Sequence, residues 1–380
     1  MKKIGYVIPA FPVLSETFVG VEMRAMREKG HEIQPFAFEA TQGCQPSDTE
    51  LAQSCQYISA TLPKGSWRWL RHAHRCHQFL SEQEGFAYLS LLKQGIILAE
   101  MAAKAQCEHL HAHFAWHSAA TAIVAAKLLN ISVSFVGHGA DIYSSPQDLD
   151  AKLDHASFGC AVTNDMQSHL QQMTDTPIHY VACGLESEHY PRFNNEWVPL
   201  RDFLFIGRLV EKKDLETLIS AFRQLPKTAK LDIVGDGPLY DKLHLWISEN
   251  HLSSQVTLLG SRNANWFRQN APLYKALVAP FCIAKNGDRD TGPLVLKEAM
   301  GLGLPVITTD LAGCKEIVDE ETGFKVPMRN PYALASTMQY VYEQPTATLL
   351  KLRQLAYERV FSNYNAANHA ASLSQLVQSA

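Results

Sequence analysis

The sequence predicts an α/β protein of two domains, each built on a parallel sheet. Short apolar stretches alternate with helical ones, first over residues 4–181 and again over residues 203–308. Strands of this kind, separated by helices, are typical of parallel sheets that are covered on both faces. Between the two sets lies an irregular segment, residues 186–201, in which Pro191 and Pro199 disfavour regular structure. A length of 380 residues also favours two domains.

The candidate strands are short and are rich in apolar and β-branched residues. They are expected at residues 4–8, 109–114, 133–137, 159–163 and 178–181 of the first domain, and at 203–207, 231–235, 256–260, 277–280 and 306–308 of the second. Helices are expected between them, for example over residues 15–29 and 117–130. Ligands of such sheets bind beyond the carboxyl ends of the strands. The main site is therefore expected in a cleft between two facing domains.

Composition and charge exclude several classes of function. The chain is 46% hydrophobic and 19% charged, as folded domains are, and its net charge of −4 does not favour nucleic-acid binding. Pro9 and Pro12 interrupt the first apolar run, so we expect a buried strand there and not a signal peptide. No stretch reaches the roughly 18–20 apolar residues of a membrane span. The eight scattered cysteines are expected to be free thiols of a cytoplasmic protein.

One segment carries two cations at the end of a predicted strand. It reads Phe205-Ile-Gly-Arg-Leu-Val-Glu-Lys-Lys-Asp. Arg208 offers a planar fork and Lys213 a mobile point charge, and the following helix adds its positive end. This combination suits a diphosphate. The alternative is a solvated basic loop.

A second segment places two carboxylates on either side of a Gly-Pro turn that opens a helix. Asp290 and Glu298 are eight residues apart, and the amides of Leu294 and Val295 begin the helix, where an anion can be met. Paired acceptors of this kind suit the hydroxyls of a sugar and of a ribose. The alternative is a helix start with acidic residues near its positive end.

These segments resemble the retaining, nucleotide-sugar-dependent glycosyltransferases of family 4, which have the GT-B fold. Other motifs carry the same resemblance through most of the chain: Phe11-Pro-Val-Leu-Ser-Glu-Thr-Phe with Glu22 and Gly30-His-Glu32, His111-Ala-His-Phe114, Gly137-His-Gly-Ala-Asp-Ile-Tyr143, Cys183-Gly-Leu-Glu186, Gly235-Asp-Gly-Pro238 and Thr322-Gly-Phe-Lys-Val-Pro327. The N-terminal motif resembles the branch that builds bacterial exopolysaccharides such as colanic acid. The resemblance implies two facing Rossmann-like domains and a C-terminal helix that returns to the first.

The resemblance also implies roles on the donor side. Arg208 and Lys213 would bind the donor diphosphate and stabilise the leaving group. Glu298 would hold the ribose, and Asp290 would contact hydroxyls of the donor sugar. Further donor-binding positions are expected at Gly292, Leu294, Val295 and, beside the base, Arg262.

On the sugar and acceptor side, the resemblance implies that His138 lies beside the donor sugar near the reacting centre. We count it as catalytic, together with Arg208, Lys213 and Asp290. The acceptor side is expected to include Ser15, Glu16, Thr17, Phe18 and His113. In such enzymes the departing phosphate helps to take the acceptor's proton, so no protein base is implied. No metal or other cofactor is expected, since cations already face the charge that develops on the diphosphate.

Three positions depart from the family's pattern. The first of the two spaced glutamates is Asp290 here, which is one methylene shorter. The glycine that usually follows the lysine is Asp214, which brings a negative charge near the proposed phosphate site. The usual Gly-Gly-x-x-Glu of a later loop reads Gly313-Cys-Lys-Glu316. None of these changes removes the cations or Glu298.

Two further groups of residues resemble metal sites. Asp288 and Asp290 have an Asp-x-Asp spacing, but the turn and helix around them fit the family's donor loop better. A second group contains Cys107, His109, His111, His113 and His117. Imidazoles can be satisfied by backbone and water, so we expect no metal there.

Residues 64–80 combine aromatic and basic side chains. On a helix, Trp67, Leu70, Ala73 and Leu80 would lie near one face, with Arg68, Arg71 and Arg75 beside or opposite it. Such a face suits the surface of an anionic bilayer and would indicate a lipid-linked acceptor. The alternative, which we favour, is a core-packed helix with a solvated basic side.

Together the motifs predict transfer, with retention, from a UDP- or GDP-linked sugar to a saccharide or lipid-linked saccharide in bacterial surface polysaccharide assembly. The acceptor domain is expected at residues 1–190, the donor domain at 201–360 and the returning helix at 361–380. Two alternatives remain, a nucleotide-sugar 2-epimerase on the same fold and a non-catalytic nucleotide-sugar-binding scaffold. The intact cations and Glu298 argue against the scaffold.

Overall fold

The computed structural model describes residues 1–41 and 43–380, which form two compact units. The N-terminal unit contains Met1–Gly184 together with Ala366–Ala380, and the C-terminal unit contains Leu185–Asn365. Each unit is built on one parallel sheet, which confirms the predicted fold class. The first stretch of the N-terminal unit ends at Gly184. The sequence predicted the end of the acceptor domain at residue 190.

The sheet of the N-terminal unit has seven strands in the order β3-β2-β1-β4-β5-β6-β7. Its strands are β1 (Lys3–Ala10), β2 (Glu32–Glu39), β3 (Gln56–Tyr57), β4 (His109–His113), β5 (Ser132–Gly137), β6 (Phe158–Ala161) and β7 (Ile178–Tyr180). Its first helices are α1 (Thr17–Glu28), α2 (Thr49–Ser54), α3 (His77–Ser81), α4 (Tyr88–Lys104), α5 (His117–Leu129), α6 (Leu149–His155) and α7 (Asn164–Gln171). A π-helical turn, Ala140–Ser144, follows β5.

The sheet of the C-terminal unit has six strands in the order β10-β9-β8-β11-β12-β13. They are β8 (Arg201–Ile206), β9 (Leu231–Val234), β10 (Val256–Gly260), β11 (Tyr274–Ala279), β12 (Val306–Thr309) and β13 (Phe324–Val326). The helices are α8 (Leu215–Phe222), α9 (Tyr240–Glu249), α10 (Ala264–Asn270), α11 (Leu294–Gly301), α12 (Ala312–Ile317), α13 (Pro331–Glu343) and α14 (Leu350–Asn363).

The predicted strands form where continuous apolar runs can be buried on both faces of a sheet. In β1, Tyr6, Val7 and Ile8 are fully buried, and the strand pairs with β2 on one side and β4 on the other. In β8, Phe203, Leu204 and Phe205 are likewise inaccessible. Central parallel strands have this pattern because helices or loops cover both faces.

Three strands lie outside the predicted set. β2 reads Glu-Ile-Gln-Pro-Phe-Ala-Phe-Glu, and its proline lowers the expectation of a strand. That Pro35 is tolerated because β3 pairs only with Phe36 and Ala37, one and two residues further on. β3 and β13 have two and three residues and are too short to give a periodic signal.

Residues 64–80 form no continuous α-helix, and the expectation of one was wrong. A 3₁₀ helix covers Ser66–Arg75, and α3 follows it. Trp69, not Trp67, faces the protein, because its indole N–H donates to Glu100 at 2.9 Å. Trp67 and Leu70 are 76% and 55% exposed, one 3₁₀ turn apart, while Leu80 is buried. The apolar face that the sequence assigned to the core is therefore partly open.

The chain returns to the N-terminal unit through its last helix, α15 (Ala366–Ser379). This helix packs against α1 and buries Leu373 and Val377 in that unit's core. A buried hydrogen bond of 2.9 Å joins His31 Nε2 to Ser374 Oγ. The returning segment was placed at 361–380, whereas α14 of the C-terminal unit runs to Asn363. Among the described residues, no helix is long and apolar enough to span a membrane.

Candidate active site

The carboxyl edge of the C-terminal sheet gathers most of the predicted donor-side residues. β8 ends at Ile206, and Arg208 follows in an exposed position two residues later. Lys213 closes a short 3₁₀ helix and is buried. The loop that leaves β11 carries Asp290 and leads into α11. Because both strands are parallel members of one sheet, the segments that follow them lie at the same edge.

A contact between Lys213 and Asp290 is the centre of this group. Lys213 Nζ lies 2.8 Å from Asp290 Oδ2 and 3.9 Å from the ring centroid of Phe281. Lys212 Nζ lies 3.0 Å from Asp288 Oδ1 and 3.7 Å from Asp290 Oδ1. Burial acts to raise the pKa of Asp290, but Lys213 and Lys212 outweigh it and hold that pKa below its usual value. Asp290 is thus a carboxylate that positions Lys213.

Glu298 lies on the second turn of α11, in an environment unlike that of Asp290. Burial raises the pKa of Glu298 to about 7, although the charge of Arg268 acts against the rise. Burial and the charge of Glu298 in turn raise the pKa of Tyr190. Tyr190 and Arg268 come from segments that the sequence analysis did not associate with this site. Their distance along the sequence from the donor motifs does not indicate that they belong to this site, because only the tertiary fold brings them near Glu298.

A glycine of α12 lies close against the loop that leads into α11. Gly292 has a φ of 80°, and the helix begins two residues later, at Leu294 and Val295, whose amides precede the first intrahelical acceptors. A Cβ at Gly313 would lie 2.5 Å from the backbone nitrogen of Gly292 and 2.8 Å from the backbone carbonyl oxygen of Asp290. Gly313 therefore allows α12 to support the donor loop.

Asp214 also has a structural role that the sequence analysis did not foresee. Its φ is 47°, in the left-handed region that favours glycine, and its carboxylate accepts from the Thr217 amide at 3.3 Å. The side chain is therefore the N-cap of α8. The negative charge of Asp214 therefore lies at the start of α8, where the carboxylate accepts a hydrogen bond from a backbone N–H group of that helix.

Arg262 lies apart from the contacts described above. It occupies the exposed loop after β10, at the same edge of the sheet, and donates to the Ser261 carbonyl at 3.2 Å. Its side chain is accessible to a ligand. Its predicted contact with the base stays a prediction.

In the N-terminal unit, the loop after β5 holds His138 in a fixed position. The carboxylate of Asp141 accepts backbone N–H bonds from His138, Gly139 and Ala115, at 3.0, 2.8 and 2.8 Å. The His138 ring lies 4.4 Å from that of Phe18. Burial, and then the neighbouring His113, lower the pKa of His138 well below its usual value, so this imidazole is neutral.

The predicted acceptor-side residues divide into an exposed part and a packed part. Ser15 is exposed before α1, whereas Glu16, Thr17 and Phe18 are half-buried at its start. Phe18 also approaches His113, with ring centroids 6.1 Å apart. The structure thus brings Phe18, His113 and His138 together and leaves Ser15 open to solvent.

Glu22, one turn after Phe18 on α1, is a polar residue whose role the sequence analysis missed. Glu22 Oε1 lies 3.4 Å from His111 Nε2 and 3.3 Å from His113 Nε2. The Tyr6 hydroxyl donates to the same oxygen at 3.0 Å. A spacing of four residues from Phe18 places Glu22 on the same helix face, and this was the available signal.

Known proteins are similar to this chain in sequence and in fold. Residues 188–359 match the family model described as glycosyl transferases group 1. The chain is 25% identical, over 99% of each protein, to the putative colanic acid biosynthesis glycosyltransferase WcaL of Escherichia coli (strain K12). It is 24% identical to the amylovoran biosynthesis glycosyltransferase AmsK of Erwinia amylovora, over 88% of this chain and 89% of AmsK.

A solved structure gives an independent comparison of the fold. Anabaena Alr3699/HepE in complex with UDP-glucose is similar to this chain, with a TM-score of 0.75 and 15% identity, and each chain is covered over 100% of its length. The likeness confirms the predicted pair of Rossmann-like domains.

Proposed function

Because residues 188–359 are a group 1 glycosyltransferase domain, we propose that the protein transfers a sugar, with retention, from a UDP- or GDP-linked donor to a saccharide or lipid-linked saccharide. The observation that carries this proposal is the placement of Arg208 and Lys213 at one sheet edge beside the start of α11. The names of WcaL and AmsK support a role in the biosynthesis of a bacterial surface polysaccharide.

The donor diphosphate would be bound by cationic side chains and by the dipoles of backbone N–H groups. Arg208 is exposed and Lys213 is oriented by Asp290, so both are available to an anion at the edge of the sheet. The amides of Leu294 and Val295 add the positive end of α11. As the bond to the sugar breaks, negative charge grows on the departing phosphate, and fixed positive groups lower the barrier. This arrangement requires no divalent ion at the diphosphate.

The remaining donor contacts follow from the acceptor atoms that the site offers. Glu298, when ionised, accepts hydrogen bonds from the ribose hydroxyls. Asp290 shares its oxygens between the lysines and a hydroxyl of the sugar. The neutral imidazole of His138 is proposed to bind a further sugar hydroxyl. The departing phosphate would take the acceptor's proton.

The test is nucleotide release from a panel of UDP- and GDP-sugars, without added Mg²⁺ or Mn²⁺. UDP-glucose is the first donor to use, since Anabaena HepE was solved with it. Slow hydrolysis of one donor is expected in the wild type and in Arg223→Ala, which alters an exposed residue just after α8 and serves as the control. Arg208→Ala and Glu298→Ala should lose it.

Other outcomes distinguish the alternatives. Conversion of the donor to a different nucleotide sugar, without release of nucleotide, would establish an epimerase. Binding of UDP or GDP without turnover, even with lipid extracts and oligosaccharides added as acceptors, would establish a scaffold. No binding to either nucleotide would contradict the whole proposal. Once an acceptor is found, the anomeric configuration of the product by NMR tests retention.

We also propose a peripheral association with anionic membranes through residues 64–80. Trp67 and Leu70 are 76% and 55% exposed, and Arg71 beside them is exposed as well. An aromatic and an aliphatic side chain flanked by a cation suit the interface of an anionic bilayer. Sedimentation with phosphatidylglycerol vesicles should fall sharply in a Trp67→Ser/Leu70→Ser variant and stay unchanged in Leu245→Ser, an exposed control in the C-terminal unit. Equal sedimentation of all three proteins would contradict the proposal.

A further inference from the structure

We propose that Glu22, His111 and His113 bind a zinc ion in the N-terminal unit. The group includes His113, which is expected on the acceptor side, and it adjoins His138. Metal binding can nevertheless be tested without the proposed transferase activity. Among the residues that the structure describes, this is the one group of three metal-ligating side chains whose donor atoms lie within 4.8 Å of one another.

Two elements far apart in sequence bring the three side chains together. His111 and His113 alternate along β4 and therefore lie on one face of the strand. α1 crosses that face and contributes Glu22. Two imidazoles and one carboxylate form a donor set common in zinc sites, with the fourth position left for water or a substrate atom.

Two of the three distances between the donor atoms match those around one tetrahedral ion. Zinc binds imidazole nitrogen at about 2.0–2.1 Å and carboxylate oxygen at about 2.0–2.2 Å. At a tetrahedral angle, such bonds separate two ligand atoms by about 3.3–3.5 Å. Glu22 Oε1 lies 3.4 Å from His111 Nε2 and 3.3 Å from His113 Nε2. Both distances match a shared ion, and the two imidazole nitrogens lie within 4.8 Å of each other.

Neighbouring groups hold each ligand in a binding orientation. His111 Nδ1 lies 2.7 Å from Ser134 Oγ, and His113 Nδ1 lies 3.0 Å from His138 Nε2. The Tyr6 hydroxyl donates to Glu22 at 3.0 Å. Partners of this kind fix the ring orientation of metal-bound histidines and strengthen their donor nitrogens. Both rings consequently present Nε2 to the same carboxylate oxygen.

The two ring nitrogens that face Glu22 otherwise lack a satisfactory partner. Both Nε2 atoms are buried, and within the described part of the chain neither makes a hydrogen bond of normal geometry. Buried polar atoms are rarely left this way, because the lost hydration is costly. A metal ion supplies the missing interaction for both atoms at once.

A small cavity gives the site an approach from outside. Its lining includes Phe18, Val21, Glu22, Cys183 and His369, all in the N-terminal unit. The Glu22 side chain is 19% exposed, whereas both histidines are covered. An ion would enter past the carboxylate, and the fourth ligand would come from this side.

The residues that the sequence suggested as a metal cluster differ from the group that the structure brings together. His109 is satisfied by Ser132 and Ser134, at 2.7 and 2.8 Å, and His117 packs edge-on against Phe38. Those residues and Cys107 lie outside the group, while the carboxylate that completes it comes from α1. Only the folded structure joins β4 to Glu22.

The first experiment measures bound zinc in the full-length protein. Protein purified without chelators and analysed by inductively coupled plasma mass spectrometry should contain about one zinc per chain. Glu22→Gln and His111→Ala should contain less than about a tenth of that amount. His179→Gln is the control, since it alters a histidine of another strand, β7, outside the group, and it should retain the metal.

A second set of measurements excludes a simple loss of folding. Ser134→Ala keeps all three ligands and removes the partner of His111 Nδ1, so zinc affinity by competition with a chromophoric chelator should fall about 10–100-fold. Cobalt added to the stripped protein should give the intense visible bands of a tetrahedral site. If the wild type neither retains zinc nor binds it more tightly than Glu22→Gln, the three residues are an ion-pair network and the proposal is wrong.

Discussion

The raised pKa of Glu298 makes opposite predictions for the stability of the protein and for its binding of donor. An ordinary glutamate titrates near 4.5, and burial raises this one to about 7. The folded state therefore holds the proton more strongly than the unfolded state does. Between these two pH values the folded protein stays protonated at Glu298 while the unfolded chain loses the proton.

The sign follows directly from this difference. Stability from this group is highest below pH 4.5 and falls as the pH rises, until Glu298 is ionised in both states above pH 7. Each pKa unit corresponds to about 1.4 kcal/mol, so the ionised carboxylate costs at most about 3.5 kcal/mol at pH 8. Glu298→Gln has nearly the same shape and carries no charge. It should be more stable than the wild type at pH 8 and similar to it near pH 5.

Thermal unfolding midpoints at pH 5, 6, 7 and 8 measure this difference. Glu298→Gln should unfold several degrees above the wild type at pH 8, whereas Glu216→Gln, on the exposed side of α8, should follow the wild type throughout. UDP affinity by calorimetry should show the reverse order: it should rise through about pH 7 in the wild type and stay low in Glu298→Gln, because only the carboxylate accepts from both ribose hydroxyls.

Two results would refute the reasoning. If Glu298→Gln were less stable than the wild type at pH 8, the carboxylate would be stabilised by partners that outweigh burial. If the two proteins had parallel pH profiles, the proton uptake would belong to another group. Loss of UDP binding without any change in stability would leave the ribose role intact and remove only the argument from burial.

Three further predictions concern the supports of the two sites. Asp290→Ala leaves Lys213 buried and unpaired, so the free protein should lose about 3 kcal/mol, and UDP should raise its midpoint more than that of the wild type. Gly313→Ala forces a methyl group against the donor loop and should cost about 1–3 kcal/mol. Asp141→Ala removes the acceptor for three backbone N–H groups around His138 and should cost about 3 kcal/mol by urea unfolding, with a fall in turnover.

Matched controls separate these effects from general damage. Asp241→Ala changes an exposed residue of α9 and should leave the free energy of unfolding unchanged, in contrast to Asp290→Ala and Asp141→Ala. Gly207→Ala adds a methyl group whose nearest neighbour is 3.4 Å away, so it should be milder than Gly313→Ala. A neutral Asp290→Ala or Gly313→Ala would show that the donor loop is not packed as described.

Sequence reasoning found the strands whose signal is local. β1 and β8 are continuous apolar runs that end in turn residues, and their core residues are fully buried. It missed β2, whose Pro35 is tolerated only because the neighbouring strand is two residues long. The length of a neighbouring strand is a property of the whole sheet and is not encoded in the sequence of the strand beside it.

The same limit applies to the sites. Arg208, Lys213, Asp290 and Glu298 were found because two short motifs contain them. The lysine–aspartate contact joins residues 77 apart, and Tyr190 reaches Glu298 from farther still. Such contacts depend on how strands are ordered in a sheet, which motif spacing does not encode.

Residues 64–80 show a different limit. Helical spacing grouped Trp67 with Leu70 and assigned their face to the core, whereas both side chains are exposed on the 3₁₀ helix. Trp69 takes the inner position, where its indole N–H donates to Glu100. The spacing thus grouped the side chains correctly but did not show which group packs against the protein.

The return of α15 to the N-terminal unit has a consequence for the order in which the protein is made. The ribosome delivers all of residues 185–365 before it delivers the helix that covers α1. The C-terminal unit is one uninterrupted stretch, so all of its residues are made before α15. The N-terminal unit, although translated first, must wait with Leu373 and Val377 still missing from its core. A chain that terminates before α15 therefore lacks part of the core of the N-terminal unit, although that unit is translated first.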